Sequence, residues 1–242
     1  MPVEVEEHEE FKGVFWLVFE DGSRKLATRN LAPGRSVYGE RLIRVGEEEY
    51  RLWDAYRSKL AASILKGVEV MPIGPGDKVL YLGAASGTTA SHVSDIVGPE
   101  GHVYCVEFAP RVIQDLLNNV CAYRPNMSPI LADARLPHLY AHLVEEVDVI
   151  YCDIAQPEQA KVLADNADFF LADGGWIMLA IKARSIDVTK KPSELFRREM
   201  EVLEARGFDI EDRVHLEPFD KDHAMVVACF RRRRLSDKLS AA

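Results

Sequence analysis

The sequence predicts an α/β chain. A seven-stranded Rossmann-like sheet closes with an antiparallel C-terminal hairpin, and a small β-rich N-terminal domain precedes it. Three observations carry this. From residue 58 onward, apolar runs of strand length alternate with segments of helical period, which calls for a parallel sheet covered by helices on both faces. The last two extended runs, 208–216 and 223–231, are joined only by Glu217-Pro218-Phe219-Asp220-Lys221-Asp222, too short for the crossover of a parallel pair. The first 55 residues carry strand and turn signals without helical period. The expected division is 1–55, 56–234 and a tail at 235–242.

The elements follow in order. The run 13–19 reaches Asp21-Gly22, a hairpin turn in which both residues tolerate positive φ, and 25–28 returns. A second pair, 41–44 and 49–53, flanks Val45-Gly46-Glu47-Glu48. This part is too small for much core of its own and should pack on the main domain or on a partner. Leu60, Ala61, Ile64 and Leu65 have helical spacing ending at Gly67. Strands are expected at 78–82, 102–108, 126–132, 147–154 and 175–182. Helices are expected at 88–97, from Pro110 (a favoured first helical position), at 157–171 and at 193–206.

Composition narrows the function. Of the 242 residues 48% are apolar, enough for a sizeable core, and no apolar stretch approaches the ~20 residues of a membrane span. The acidic start Val3-Glu4-Val5-Glu6-Glu7-His8-Glu9-Glu10 lacks the basic-then-apolar order of a secretory signal, so an intracellular, cytoplasmic protein is expected. Cys105, Cys121, Cys152 and Cys229 form no C-x-x-C pair and read as free thiols. His138 and His142 could share a helical face but have no third ligand nearby, so no metal is expected. A net charge of −9 is awkward for unaided nucleic-acid binding. Lys190-Lys191, Arg197-Arg198 and Arg231 to Arg234 are the local basic clusters, either solvated faces or RNA contacts.

Ligands of an open parallel sheet sit beyond the carboxyl ends of its strands. Gly83-Ala84-Ala85-Ser86-Gly87-Thr88-Thr89 follows the strand 78–82, and Thr88 and Thr89 open a helix whose N-terminus favours an anionic group. The spacing is not the G-x-G-x-x-G of dinucleotide folds; a methionine carboxylate fits, and no pyrophosphate need be cradled. Glu107 ends the next strand, where an acid can accept both ribose hydroxyls of a nucleoside. Asp133 ends the third, where it could face an adenine amino group, and Phe108 offers an apolar wall. S-adenosyl-L-methionine is therefore preferred over NAD. Four blocks then bring ionisable side chains toward the same place: Arg57-Ser58-Lys59-Leu60, Tyr151-Cys152-Asp153-Ile154, Ala180-Ile181-Lys182-Ala183 and Asp220-Lys221-Asp222-His223.

With the runs Asp153-Ile154-Ala155-Gln156-Pro157 and Ser185-Ile186-Asp187-Val188-Thr189 added, the chain resembles fibrillarin, in its archaeal fibrillarin-like form, over essentially its whole length. The resemblance implies a methyltransferase acting on ribose 2′-hydroxyls of rRNA and tRNA. It also implies a box C/D guide-RNA particle with a Nop-domain scaffold protein and a kink-turn-binding protein. Family cofactor contacts carry over to Gly83, Thr88, Thr89, Glu107, Phe108, Asp133, Ala134, Asp153, Ile154, Ala155 and Gln156, and a catalytic set to Lys59, Asp153, Lys182 and His223.

On this reading neutral Lys182 accepts the hydroxyl proton, Lys59 eases that by like-charge repulsion, Asp153 directs the amine, and His223 orients the ribose or stabilises developing charge. Sequence choice falls to guide pairing, and the N-terminal part is the expected docking face for the scaffold. Three alternatives stay open: a stand-alone ribose methyltransferase resembling the FtsJ type, a non-catalytic module that organises the particle, and an NAD oxidoreductase.

Overall fold

The computed structural model describes residues 3–231. The proposed tail at 235–242 and Arg232 to Arg234 lie outside the described residues.

Five strands form the N-terminal sheet: β1 (Glu4–Glu7), β2 (Val14–Val18), β3 (Arg24–Arg29), β4 (Leu42–Val45) and β5 (Glu48–Leu52). Their order is β1-β2-β3-β5-β4, antiparallel throughout. β1 is not legible in the sequence. It reads Glu-Val-Glu-Glu, and only its ladder on β2, with Val5 opposite Leu17, makes it a strand. Charge at a sheet edge also discourages a further strand from pairing there.

A single helix, α1 (Lys59–Leu65), leads into alternating β6 (Lys78–Leu82), α2 (Thr88–Val97), β7 (His102–Glu107), α3 (Pro110–Asn119), β8 (Met127–Leu131), β9 (Val147–Cys152), α4 (Gln159–Phe170) and β10 (Leu171–Lys182). A short turn of helix, α5 (Ala183–Ile186), then precedes α6 (Pro192–Ala205), β11 (Phe208–His215) and β12 (His223–Phe230). The seven strands are ordered β11-β12-β10-β9-β6-β7-β8. β12 runs antiparallel to both neighbours, and the other adjacent pairs are parallel.

The central strands are largely apolar because both faces are covered, whereas the edge strand β11 (Phe-Asp-Ile-Glu-Asp-Arg-Val-His) alternates. In β6, Val79 and Tyr81 pack with α1, α2 and α3, while Leu80 and Leu82 pack with α4 and α6. β10 starts at Leu171, directly after α4, and slips register before Trp176, so the strand is longer than the run 175–182 that sequence suggested. His138 lies in a 3-10 turn, Pro137–Leu139, that ends before His142, so the two do not share a helical face. Among the described residues no group of three side chains could hold a metal, and no helix is long and apolar enough to cross a membrane. All four cysteines are free, and burial pushes the Cys152 thiol up to about 12.

The N-terminal sheet has a core of four buried residues, Leu17, Ala27, Ile43 and Tyr50. Its other face is locked to α2 by buried charge. Arg51, fully buried, reaches Glu40 at 2.7 Å and Asp95 at 2.8 Å. Asp95 also binds the guanidinium of buried Arg124. Thr28 donates to Asp95, so His92 donates Nδ1–H to Thr28 at 2.7 Å while its Nε2 accepts from the Tyr38 hydroxyl at 2.8 Å. Trp53 stacks on the His92 ring. Losing one member of such a buried network costs about 3–5 kcal/mol because it strands a charge.

Candidate active site

The site lies at the carboxyl ends of β6, β7, β8, β9 and β10. After β6 the chain turns at Gly83, whose φ is +81°; a Cβ there would stand 2.8 Å from the Asp153 carbonyl oxygen. The β6–α2 turn therefore touches the backbone leaving β9, and only glycine permits that approach. Gly87 has φ +92° and presses on Leu116 of α3.

These turns border a cavity of about 240 Å³. Gly83, Glu107, Phe108, Asp133, Ala134, Asp153, Ile154, Ala155 and Gln156 line it, and Lys182 closes one end. Glu107 is buried, and its carboxylate accepts backbone N–H groups from Ala109 at 2.9 Å and Ala85 at 3.1 Å. Phe108 is 66% exposed at the rim, a large apolar surface without cover. Arg135 donates to both Asp133 oxygens, which holds the carboxyl below the ordinary carboxylate range against opposing desolvation.

Thr88 and Thr89 are not in the cavity wall. Thr89 is buried, and its hydroxyl donates to Ser58 Oγ at 3.0 Å. Ser58 in turn caps α1, accepting from the Ala61 N–H at 3.3 Å. The turn beside the cavity is thus tied to the helix that begins with Lys59.

Lys59, Asp153, Lys182 and His223 converge. Lys182 Nζ is 2.8 Å from Asp153 Oδ1 and 2.8 Å from the Asp153 carbonyl oxygen. The directed hydrogen bond goes to the carbonyl; the Oδ1 contact is an ion pair without hydrogen-bond alignment, so Oδ1 keeps unspent acceptor capacity. Lys59 Nζ approaches the same carboxylate at 3.2 Å and 3.3 Å. Two ammonium groups therefore share one partly buried carboxylate. Strand register explains the rest: β10 lies beside β9, and Lys182 is paired directly with His223 across the β10–β12 ladder.

Two residues escaped sequence reasoning. Asp220 accepts from His223 Nδ1 at 2.8 Å and lies 3.5 Å from Lys59. Burial alone would raise its pKa, but the His223 hydrogen bond and the charges of His223 and Lys59 outweigh that and lower it. Gln159, fully buried at the start of α4, accepts from the Lys182 N–H at 2.9 Å and donates to the Lys182 carbonyl at 3.1 Å, which fixes the end of β10. One polar residue in the sequence gives no sign of either role. The block 220–223 could have drawn attention to Asp220, because it holds two carboxylates within three residues of the histidine.

The basic clusters are largely offset. Lys190 pairs with Glu194, Arg197 with Glu201, and Arg231 with Asp209.

A model of the fibrillarin family matches residues 5–232. A protein of Staphylothermus marinus described as a fibrillarin-like rRNA/tRNA 2'-O-methyltransferase is 60% identical over 231 residues, covering 96% of this chain and 98% of its own. The crystal structure of Aeropyrum pernix fibrillarin with natively bound S-adenosyl-L-methionine superposes with a TM-score of 0.88 at 58% identity, covering 94% of this chain and 99% of that one. The fibrillarin chain of a fibrillarin/Nop5p complex gives a TM-score of 0.81 at 40% identity, covering 94% and 100%.

Proposed function

The chain belongs to the fibrillarin family, and from that premise we propose that it methylates ribose 2′-hydroxyls of rRNA and tRNA from S-adenosyl-L-methionine, within a box C/D guide-RNA particle. The partners are a Nop-domain scaffold protein, as in the fibrillarin/Nop5p complex, a kink-turn-binding protein and the guide RNA. The observation that carries the reading is the contact of Lys182 and Lys59 with one Asp153 carboxylate, at the mouth of a cavity that fits the cofactor.

The fit rests on donor chemistry. A buried carboxylate on Glu107 offers free lone pairs to ribose hydroxyls, Phe108 gives an exposed apolar wall, and Gly83 leaves the space a Cβ would fill. Asp133, Ala134, Ile154, Ala155 and Gln156 complete the proposed cofactor contacts. Thr88 and Thr89 act through the helix start and through Ser58 rather than by lining the cavity. The bound cofactor supplies a sulfonium-activated methyl group with a good leaving group.

The protein's own task is to place the hydroxyl and take its proton. Lys182, held by Asp153 and by the Gln159 clamp, is the proposed acceptor of that proton in its neutral form. Lys59 draws on the same carboxylate, so Asp153 holds both amines at the cavity mouth. For His223, Nδ1 faces two acceptors, Asp220 and the Lys221 carbonyl, so it carries a proton, and Nε2 is the ring nitrogen left for the ribose. We assign 1–55 to a docking and support role and 56–234 to the methyltransferase, in a cytoplasmic enzyme.

The test is labelling of a guide-paired RNA in the reconstituted particle, with the target ribose in its normal or 2′-deoxy form. Labelling should vanish with the deoxy sugar; persistence would rule out 2′-O transfer. Equal activity on naked RNA without guide or partners would favour the FtsJ-like alternative.

A further inference from the structure

A second cavity, of about 520 Å³, lies apart from the cofactor cavity. It is a groove between the N-terminal sheet and the start of α1, and its wall includes Arg57, two residues from Lys59, and Phe219, next to Asp220. Four cations from three stretches of the chain line it: Arg24 and Lys25, Arg41, and Arg57, all exposed. Neither Arg41 nor Arg57 forms an ion pair among the described residues; their guanidinium groups lie 5.9 Å from the Phe19 and Tyr38 ring centres. Arg24 lies 5.0 Å from the Trp16 ring centre and pairs with Glu6 at an exposed contact that phosphate could replace at little cost.

The acids in the wall are already engaged. Glu40 is bound to Arg51, and Asp54 accepts from the Tyr56 N–H. Aromatic surface is interleaved with the charge. Tyr56 is 69% exposed and meets Phe219 edge-on at 5.2 Å, so one face of a pair of rings is open to a flat partner.

Unpaired cations alternating with exposed rings are the elements that hold single-stranded nucleic acid: cations for phosphates, rings for bases. A duplex would use the cations but not the rings, since its bases are stacked on one another. We propose that this groove binds an unpaired segment of the substrate RNA beyond its guide-paired region, with phosphates on Arg41 and Arg57 and a base on Tyr56. The proposal rests on the RNA methylation reading, because the groove opens beside Lys59 and Asp220. It also gives a chain of net charge −9 a local cationic surface for RNA, since Lys25, Arg41 and Arg57 line the groove without an ion pair among the described residues.

The test uses the assembled particle and two substrates, one ending with the guide-paired region and one extended by unpaired nucleotides. Arg41→Glu combined with Tyr56→Ala changes two exposed side chains outside the reacting set. The variant should raise KM for the extended RNA about tenfold, leave kcat unchanged, and leave the trimmed RNA unaffected. Direct binding of an unpaired oligonucleotide to the full chain, read by fluorescence anisotropy, should lose about 0.7 of log-log salt slope for the phosphate contact removed. Equal effects on both substrates, unchanged oligonucleotide binding, or failure to assemble with the scaffold protein would each overturn the proposal, the last by making the groove a protein-docking surface. If the wild-type particle methylates neither RNA, the methylation reading fails, and the anisotropy measurement still decides the groove.

Discussion

Asp220 holds His223 from the turn that precedes it: its carboxylate accepts from Nδ1 at 2.8 Å while facing Lys59 at 3.5 Å. A single carboxylate thereby links the histidine that begins β12 to the lysine that begins α1. Asp220→Asn should lower kcat about tenfold, ~1.4 kcal/mol of barrier, with cofactor affinity retained, and Asp220→Glu should recover part of the loss. Because its neighbours hold its pKa below the ordinary carboxylate range, Asp220 stays charged through the neutral range and does not set the acid limb of the pH profile there. Unchanged kcat in the asparagine variant would remove Asp220 from the machinery.

Lys182→Met keeps the aliphatic length and removes the amine. Turnover should fall by about 10²–10⁴-fold, the range for losing a general base, while calorimetric cofactor binding changes little. Substantial residual activity would move the proton-accepting role to another group.

Gly83→Ala places a methyl group 2.8 Å from the Asp153 carbonyl oxygen at φ +81°. The backbone strain alone costs about 1–3 kcal/mol. Moving Asp153 also disturbs the Lys182 contact, so melting temperature and turnover should both drop. A variant with wild-type values for both would contradict the close approach.

Burial, with help from Arg51 and Arg124, pushes the His92 pKa well below the ordinary imidazole value of about 6.5. The unfolded chain binds a proton near 6.5 that the folded chain refuses. Stability is therefore undiminished above that pH and falls as pH drops below it, by up to about 1.4 kcal/mol per unit. Denaturant midpoints at pH 7.5 and 5.5 should separate clearly for the wild type and less for His92→Gln. Equal pH dependence in the two proteins would assign the effect elsewhere.

Much of the fold could be read directly from residue order. β6 and β9 announce themselves as mainly apolar runs, Val79 to Leu82 and Val149 to Cys152, because both faces of a parallel strand are covered; α3 begins at Pro110 because proline suits a first helical turn. The closing hairpin followed from a connection too short for a crossover. β1 was hidden because its residues favour water, and only β2 supplies the hydrogen bonds that order it.

For the candidate site, residue type and strand position singled out Lys59, Asp153, Lys182 and His223, since strand ends are countable along a chain. What they do to one another was left to folding. Register sets His223 opposite Lys182, a glycine lets two turns touch at Asp153, and Asp220, Gln159 and Ser58 act through partners that are mostly far away along the chain: Lys59 for Asp220, Lys182 for Gln159 and Thr89 for Ser58. Local sequence carries propensity and alternation, which act over a few residues. Hydrogen-bond direction and charge contact depend on distances in space, and those exist only once the sheet has brought its ends together.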